Sequence, residues 1–210
     1  MNRVPLYVAF LLPLLMVGCE TLRGFERAEM ATSDVRLART ELVGTQEQLD
    51  RAVASLNALV AAEAERQPRF QSFSEQVDTL DRQVDRLRTQ VEEMEAQVDA
   101  YFTAWEAEID QMESEALRNR AMRRRASSID SYQVTMAAYQ DVDVILTPLV
   151  SKIRDQQRYL GSDLTASGVG SVSDIIEEVR QQEHTAQQEI EAAILEFNRI
   201  ASELSTAAAE

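Results

Sequence analysis

Apolar residues recur along most of this chain at the spacing of one helix face. In the most regular stretch they alternate steps of three and four residues without a break: Val77, Leu80, Val84, Leu87, Val91, Met94, Val98, Tyr101 and Trp105. A mean step of about 3.5 residues is typical of a coiled-coil seam or of a bundle helix that buries one stripe. The stretch therefore predicts a long helix with a single apolar face.

Three other stretches follow helical spacing, and short breaks separate them. The first predicted helix runs from about residue 26 to 66 and ends before Pro68. Ser114, a good N-cap residue, favours a break between the second helix and a third, and one continuous helix is the alternative because no Gly or Pro marks the break. The apolar spacing continues through Pro148, so we expect a kink there rather than an end. The glycine- and serine-rich segment 161–171 predicts a loop before the fourth helix.

Each predicted helix also has a polar face, so each must cover its apolar stripe with a neighbour. Four such helices with short connections pack most simply up-down-up-down. Charge agrees with this topology, because the basic segment 114–165 would then contact both acidic segments, 74–113 and 173–210. We predict an all-α fold, an elongated antiparallel helical bundle with coiled-coil seams and four long helices, at residues 26–206, with a tail at 207–210.

The composition agrees with helix and narrows the possible functions. Only 6% of the 210 residues are aromatic, and there are 6 Gly and 4 Pro. The net charge of -15 argues against nucleic acid as the main ligand, because phosphate binding needs a positive field. One Cys and one His exclude an intrachain disulfide, paired-cysteine zinc sites and the usual catalytic triads. We therefore predict no catalytic residue, metal site or cofactor, and no enzyme.

The single cysteine, Cys19, directly follows the longest apolar run. That run, from Val4 to Val17, falls short of the roughly 20 residues that a membrane-spanning helix needs. Arg3 precedes it and a small residue, Gly18, ends it, as in a secretory signal peptide. Residues 1–18 are therefore predicted to be a signal peptide.

The five residues from Leu15 to Cys19, LMVGC, resemble the lipobox of bacterial lipoproteins. The resemblance implies cleavage between Gly18 and Cys19 and attachment of acyl chains to Cys19, which would make 19–25 a lipid-anchored tether. Two or three chains hold a protein durably, since each buried methylene contributes about 0.8 kcal/mol. Glu20 stands where lipoproteins of the inner membrane commonly carry Asp, so we expect the periplasmic face of the outer membrane in a bacterial envelope. The alternative is an ordinary signal peptide with an incidental cysteine.

Two clusters are candidate contact sites, and each has an ordinary structural alternative. The basic run consists of Arg118, Arg120, Arg123, Arg124 and Arg125. It could dock onto anionic headgroups or cell-wall polymers, or it could be a solvated helix start paired with acidic neighbours, because helical geometry scatters its side chains. The aromatic residues could line a ligand pocket or simply fill the core: Tyr101, Phe102, Trp105, Tyr132 and Tyr139.

The one histidine does not indicate a metal site. His184 would need an acid at 181 to match the Glu-x-x-His spacing of di-iron bundles, and Gln181 stands there. Glu183, next to it, interrupts the apolar stripe of the last helix. We expect neither residue to bind a metal.

Two stretches of the second half share features with a known family. In the first, Trp105 is followed by acids and then by the arginine-rich segment 118–125. In the second, a proline precedes an Arg-Asp-Gln triplet and a leucine: Pro148, Arg154, Asp155, Gln156 and Leu160. Together they resemble the bacterial family catalogued as domain of unknown function 2959, although the turn at 161–163 departs from it. The resemblance implies a helical, often lipid-anchored envelope protein with no established activity.

Two functions remain open. The first is a non-enzymatic scaffold or interaction module, held to the membrane through the N-terminal lipid, with an envelope protein or a second copy of the chain as partner. The strict seam of the second helix would permit such a homo-oligomer. The second is a carrier or sensor that holds an apolar ligand in the bundle core among the five aromatic residues.

Overall fold

A computed structural model describes residues 24–209 of the chain. The predicted signal peptide, the cleavage site at Gly18 and Cys19, and the tether up to residue 23 lie outside the described residues. Within the described range the fold consists of helices without strands, which confirms the all-α prediction. The helices are α1 (Gly24–Val60), α2 (Arg66–Asp110), α3 (Glu115–Ser162), α4 (Ala166–Gly170) and α5 (Ser173–Ala209).

Each long helix packs against two neighbours, so that α1 and α3 both contact α2 and α5. The neighbours run antiparallel, because residue numbers rise on one helix as they fall on the other. Gln48 of α1 bonds to Gln76 of α2, whereas Arg27, earlier in α1, pairs with Glu108, later in α2. The other three helix pairs follow the same rule. The contacts are Arg154–Asp81 and Arg125–Glu106 between α3 and α2, Lys152–Glu178 and Arg199–Ser131 between α3 and α5, and Arg180–Asn57 and Gln187–Asp50 between α5 and α1.

These contacts confirm the predicted up-down-up-down bundle, with the basic α3 between the acidic α2 and α5. The long helices have 37, 45, 48 and 37 residues. At about 1.5 Å per residue they form a rod about 55 to 70 Å long. None of the helices in residues 24–209 combines the length and apolarity that crossing a bilayer requires.

The first helix boundary differs from the prediction. α1 ends at Val60, before residue 66, and Pro68 lies in the first turn of α2. Proline is tolerated there because the backbone N–H groups of a first turn have no partner within the helix. The connection includes Glu65 in the left-handed region, with φ 58° and ψ 30°. Proline therefore marks the start of α2 and not the end of α1.

The second and third helices are separate, as Ser114 predicted. Its Oγ accepts a hydrogen bond from the Leu117 amide at 3.4 Å, which caps α3. α3 then continues through Pro148 to Ser162. The predicted continuation of the helix past this proline is confirmed.

The predicted loop at 161–171 is wrong for most of its length. Gly161 and Ser162 complete α3, and Ala166–Gly170 form the short α4. Thr165 caps α4 by accepting a hydrogen bond from the Gly168 amide at 3.1 Å. A Cβ at Gly168 would collide with the side chain and carbonyl of Asp163, so this glycine allows the chain to fold back closely on residue 163. The glycine content of this segment predicted a flexible loop, but in the structure Gly168 permits a tight turn into a short helix.

One continuous apolar core runs along the rod. The α2 seam residues up to Tyr101 are buried, and Trp105 at the end of the seam is half-buried. A polar contact borders the core, where the Gln83 side-chain amide donates to the Glu41 carbonyl at 3.2 Å and to the Glu41 carboxylate at 2.8 Å. Gly44 makes room for it, since a Cβ there would lie 2.9 Å from Gln83 Nε2.

Candidate functional site

The aromatic residues meet at the end of the bundle where α1 begins. On α2, Tyr101 lies 5.3 Å from Phe102 and 5.6 Å from Trp105, measured between ring centroids, and Phe102 lies 6.2 Å from Tyr132 of α3. These are ordinary spacings for aromatic pairs in a core. The fifth predicted residue, Tyr139, lies two turns further along α3, where it packs half-buried against the core. Four of the five aromatic residues thus form one cluster.

The phenol groups here are poor acids. Burial raises the pKa of Tyr132, and the charges of Glu95 and Asp99 raise it further. Burial, followed by the charge of Asp143, raises the pKa of Tyr139 to about 12. The Tyr132 hydroxyl is buried and has no hydrogen-bond partner among residues 24–209. These tyrosines therefore stay neutral at physiological pH and act as packing groups.

An open groove of about 460 Å³ lies beside the aromatic cluster, between the end of α2 and the start of α3. Its lining is Trp105, Met112, Leu117, Arg120, Ala121 and Arg124. Leu117 is 58% exposed, and Trp105 is half-buried between the core and the groove. We call this feature the end groove. It combines apolar side chains with guanidinium groups on the surface of the bundle.

The structure divides the five predicted arginines between two roles. Arg118 donates to the Met112 carbonyl at 3.1 Å, and Arg125 donates to the Phe102 carbonyl at 3.0 Å and to the Glu106 carboxylate at 2.9 Å. Arg125 thus joins α3 to the end of α2, and Arg118 joins α3 to the connection between the two helices.

The other three arginines face outward or line the groove. Arg124 is half-buried in the wall of the end groove. Arg120 and Arg123 are exposed, and neither forms an ion pair with another residue of the described range. Periodicity alone predicted scattered side chains, and the contacts identify Arg120 and Arg123 as the two exposed arginines without an ion pair among residues 24–209.

The end groove lies where the chain enters the bundle. A Cβ at Gly24, the first described residue, would lie 3.4 Å from Glu108 Oε2, and Arg27 pairs with the same carboxylate. Glu108 follows Trp105 by one helical turn. Residues 1–23 therefore join the bundle at the end that carries the groove.

A second unusual feature is a carboxyl pair between α1 and α5. Burial raises the pKa of Glu183 to about 7, and the charge of Asp50 and a hydrogen bond with it add to the effect. Burial also raises the pKa of Asp50, which accepts a hydrogen bond from the Gln187 amide. In the sequence, the one indication of this carboxyl pair is Glu183, an acidic residue within the apolar stripe of α5.

His184 does not take part in a metal site within the described range. It is exposed, and its Nε2 lies 3.3 Å from the amide nitrogen of Gln188. Across residues 24–209, no three His, Cys, Asp or Glu side chains are grouped so that they could hold a metal ion. Cys19 and Gly18, the predicted lipidation and cleavage residues, lie outside this range.

Comparison with known proteins identifies one family. The family described as "Protein of unknown function (DUF2959)" matches residues 17–204. The matched range includes α1 to α4 and most of α5. No curated protein and no solved structure matches the chain.

Proposed function

We propose that this chain, which belongs to the family described as "Protein of unknown function (DUF2959)", is a lipid-anchored, non-enzymatic protein of the bacterial envelope. The family description itself assigns no activity. The chain serves as a scaffold or interaction module whose rod projects from the membrane. A diacylglyceryl group is attached to the Cys19 thiol, residues 1–18 are then removed, and the new amine is acylated. The location of the protein is the periplasmic face of the outer membrane.

The observation that carries this proposal is the short distance from Cys19 to the first helix. The lipobox-like residues Leu15 to Cys19 are followed by α1 from Gly24 onward. Five residue steps cover at most about 18 Å when fully extended. A lipid on Cys19 would therefore hold one end of a rod about 55 to 70 Å long close to the membrane. The remaining helix surfaces would be presented to envelope partners or to a second copy.

The packing of the aromatic cluster favours a scaffold over a carrier with an internal ligand. Phe102 of α2 lies at core distance from Tyr101 on the same helix and from Tyr132 of α3, so a ligand between Phe102 and Tyr132 would have to separate the two helices. The end groove opens on the surface instead. A soluble form that starts after Cys19, purified without detergent and then extracted with organic solvent, should release no stoichiometric apolar ligand. Recovery of one ligand per chain would favour the carrier.

Lipidation is tested by intact-mass measurement of the chain from bacterial membranes. We expect the wild-type chain to lack residues 1–18, to carry the mass of its acyl groups and to fractionate with the outer membrane. Cys19→Ser removes the acceptor thiol and should abolish all three properties. Gly18→Ala keeps a small residue before the cysteine and serves as the matched control that is still processed.

Two outcomes would reject the tether. One is recovery of the wild-type chain from the cytosol with residues 1–18 attached. The other is a Cys19→Ser chain that stays in the membrane fraction as firmly as the wild type. The sorting proposal is tested separately by Glu20→Asp, which should move the chain to the inner membrane without changing its lipid.

A further inference from the structure

We propose that the end groove and the exposed arginines beside it dock onto anionic phospholipid headgroups. This inference rests on the proposed function, because the lipid tether is what brings the surface to a bilayer. The docking residues are Leu117, Arg120 and Arg123 at the start of α3, with Trp105 at the base of the groove. Docking would fix the angle at which the rod leaves the membrane.

The charge of this segment is opposite to that of the chain. The whole sequence has a net charge of -15, whereas residues 115–125 contain five arginines and one glutamate. Arg125 is engaged by α2 and Arg118 by the connection that follows it, but Arg120 and Arg123 have no ion-pair partner among the described residues. Each basic residue near an anionic surface strengthens binding by about fivefold. Phosphate headgroups are therefore the complementary ligand for this part of an acidic protein.

The apolar residues of the groove suit a lipid surface better than water. Leu117 is 58% exposed, and Trp105 and Met112 are half-buried beside it. Tryptophan favours the headgroup region of bilayers, and apolar side chains flanked by arginine are typical of helices that lie on a membrane surface. The groove thus combines the two kinds of contact that headgroups offer.

The position of the groove selects a membrane over other occupants. Residues 1–23 join the bundle beside Glu108, one turn from Trp105, so a lipid on Cys19 would hold this end nearest the bilayer. Acidic residues at the same end, such as Asp110 and Glu113, oppose docking. We therefore expect weak binding by the free surface, made effective by the high local concentration that the tether provides.

The single tryptophan permits a direct test on the full lipidated chain. The protein is reconstituted into vesicles of phosphatidylcholine alone or of an equimolar mixture with phosphatidylglycerol, with brominated lipids as quenchers. We expect lipid quenching of Trp105 in the mixed vesicles, little quenching in phosphatidylcholine, and reversal by high salt because exposed charges are screened. Quenching of equal strength in both vesicles would overturn the proposal.

Charge variants test which arginines act. Arg120→Gln with Arg123→Gln should lower the ratio of docked to undocked protein by about 25-fold in the mixed vesicles, two factors of about fivefold. The matched control is Arg69→Gln with Arg158→Gln, which removes two exposed arginines at the opposite end of the bundle. An equal loss in both double variants would overturn the proposal, because it would indicate net charge rather than a surface.

Other occupants of the groove give distinct results. Protection of Trp105 from acrylamide without vesicles, in a Cys19→Ser chain that keeps residues 1–18, would place that apolar segment in the groove and overturn lipid docking. Protection that needs an envelope protein would overturn it as well. Failure of the tether would leave the wild-type chain unattached to vesicles. An attached chain whose Trp105 remains in water would refute docking alone.

Discussion

Replacing Glu183 by glutamine should stabilise the bundle at neutral and alkaline pH. Glu183 lies half-buried on α5 beside Asp50 of α1, and both carboxyl groups have raised pKa values. Glutamine has nearly the same shape, carries no charge at any pH, and has an amide that could donate to the Asp50 carboxylate. The substitution therefore removes the cost of ionising a second acid in this place.

The sign follows from proton linkage. The ordinary pKa of the Glu183 side chain is 4.5, and in the bundle it is about 7. Between these values the folded chain holds a proton that the unfolded chain has lost, so stability falls as pH rises. The favourable contribution is complete below the ordinary pKa and is lost as pH passes through the folded pKa. Asp50, whose pKa is also raised, acts in the same direction.

A shift of this size would correspond to about 3 kcal/mol for a fully buried group. Glu183 is only half-buried, and solvent screening lowers the expected gain of Glu183→Gln to about 1 to 2 kcal/mol above the folded pKa. For a chain of this size each kcal/mol moves the thermal midpoint by about 2 to 4 °C. Below the ordinary pKa the variant and the wild type should be equally stable.

The assay is urea unfolding followed by circular dichroism across this pH interval. Glu75→Gln is the matched control, because Glu75 is exposed on α2 and forms no ion pair within the described range. Combining Glu183→Gln with Asp50→Asn should give less than the sum of the single effects, since both relieve the same repulsion. Identical pH profiles for Glu183→Gln and wild type, or a less stable variant at alkaline pH, would refute the reasoning.

Three further predictions concern the core, a buried hydroxyl and a helix cap. Phe197→Ala leaves a cavity at a fully buried site on α5 and should lower the free energy of unfolding in urea by about 3 to 5 kcal/mol. Leu195, two residues earlier, is 68% exposed, so Leu195→Ala should change this free energy by about 0.5 kcal/mol or less. Tyr132→Phe removes the unpartnered buried hydroxyl and should leave the thermal midpoint unchanged or raise stability by about 1 kcal/mol; a clear loss would mean that the hydroxyl has a partner. Ser114→Ala should lower the free energy of unfolding by about 1 kcal/mol because the cap of α3 is lost, whereas Ser114→Asp should keep most of the stabilisation, since Asp also caps helices. Equal stability of the two variants would contradict the capping role.

Long, regular elements were predictable because their signal is local. The α2 seam repeats without a break. A helix whose seam positions are all apolar keeps them from water only by burying that face against a neighbouring helix. The break at Ser114 was predictable for a similar reason, since a capping hydroxyl acts within its own turn. The charges of the segments then favoured the neighbours that the structure has.

Predictions that depended on glycine or proline alone were less successful. Pro68 is compatible with a helix start as well as with a helix end, and the sequence spacing does not distinguish the two. Gly168 is required because a Cβ there would collide with Asp163, five residues earlier, where the chain folds back at the start of α4. Glycine content predicted a loop, whereas the glycine permits a tight local turn into a short helix.

The candidate site was predictable as a set of residue types but not as an arrangement. The basic run was visible, yet Arg118 bonds to the Met112 carbonyl in the connection between α2 and α3, whereas Arg120 stays exposed. The end groove depends on Leu117 and Met112, which lie outside the regular seams. The pairing of Asp50 with Glu183 depends on the register of α1 against α5 and therefore could not be inferred from either helix.

By itself, the sequence determined that this protein is a set of amphipathic helices, because helix faces and caps depend on residues within a few positions of one another. It also determined the basic segment and its place between two acidic ones. The tertiary structure alone decided which groups meet across helices, such as Asp50 with Glu183 and Trp105 with the groove at the chain's entry. Those contacts join residues far apart in the chain, and only the register of the packed bundle sets the distances between them.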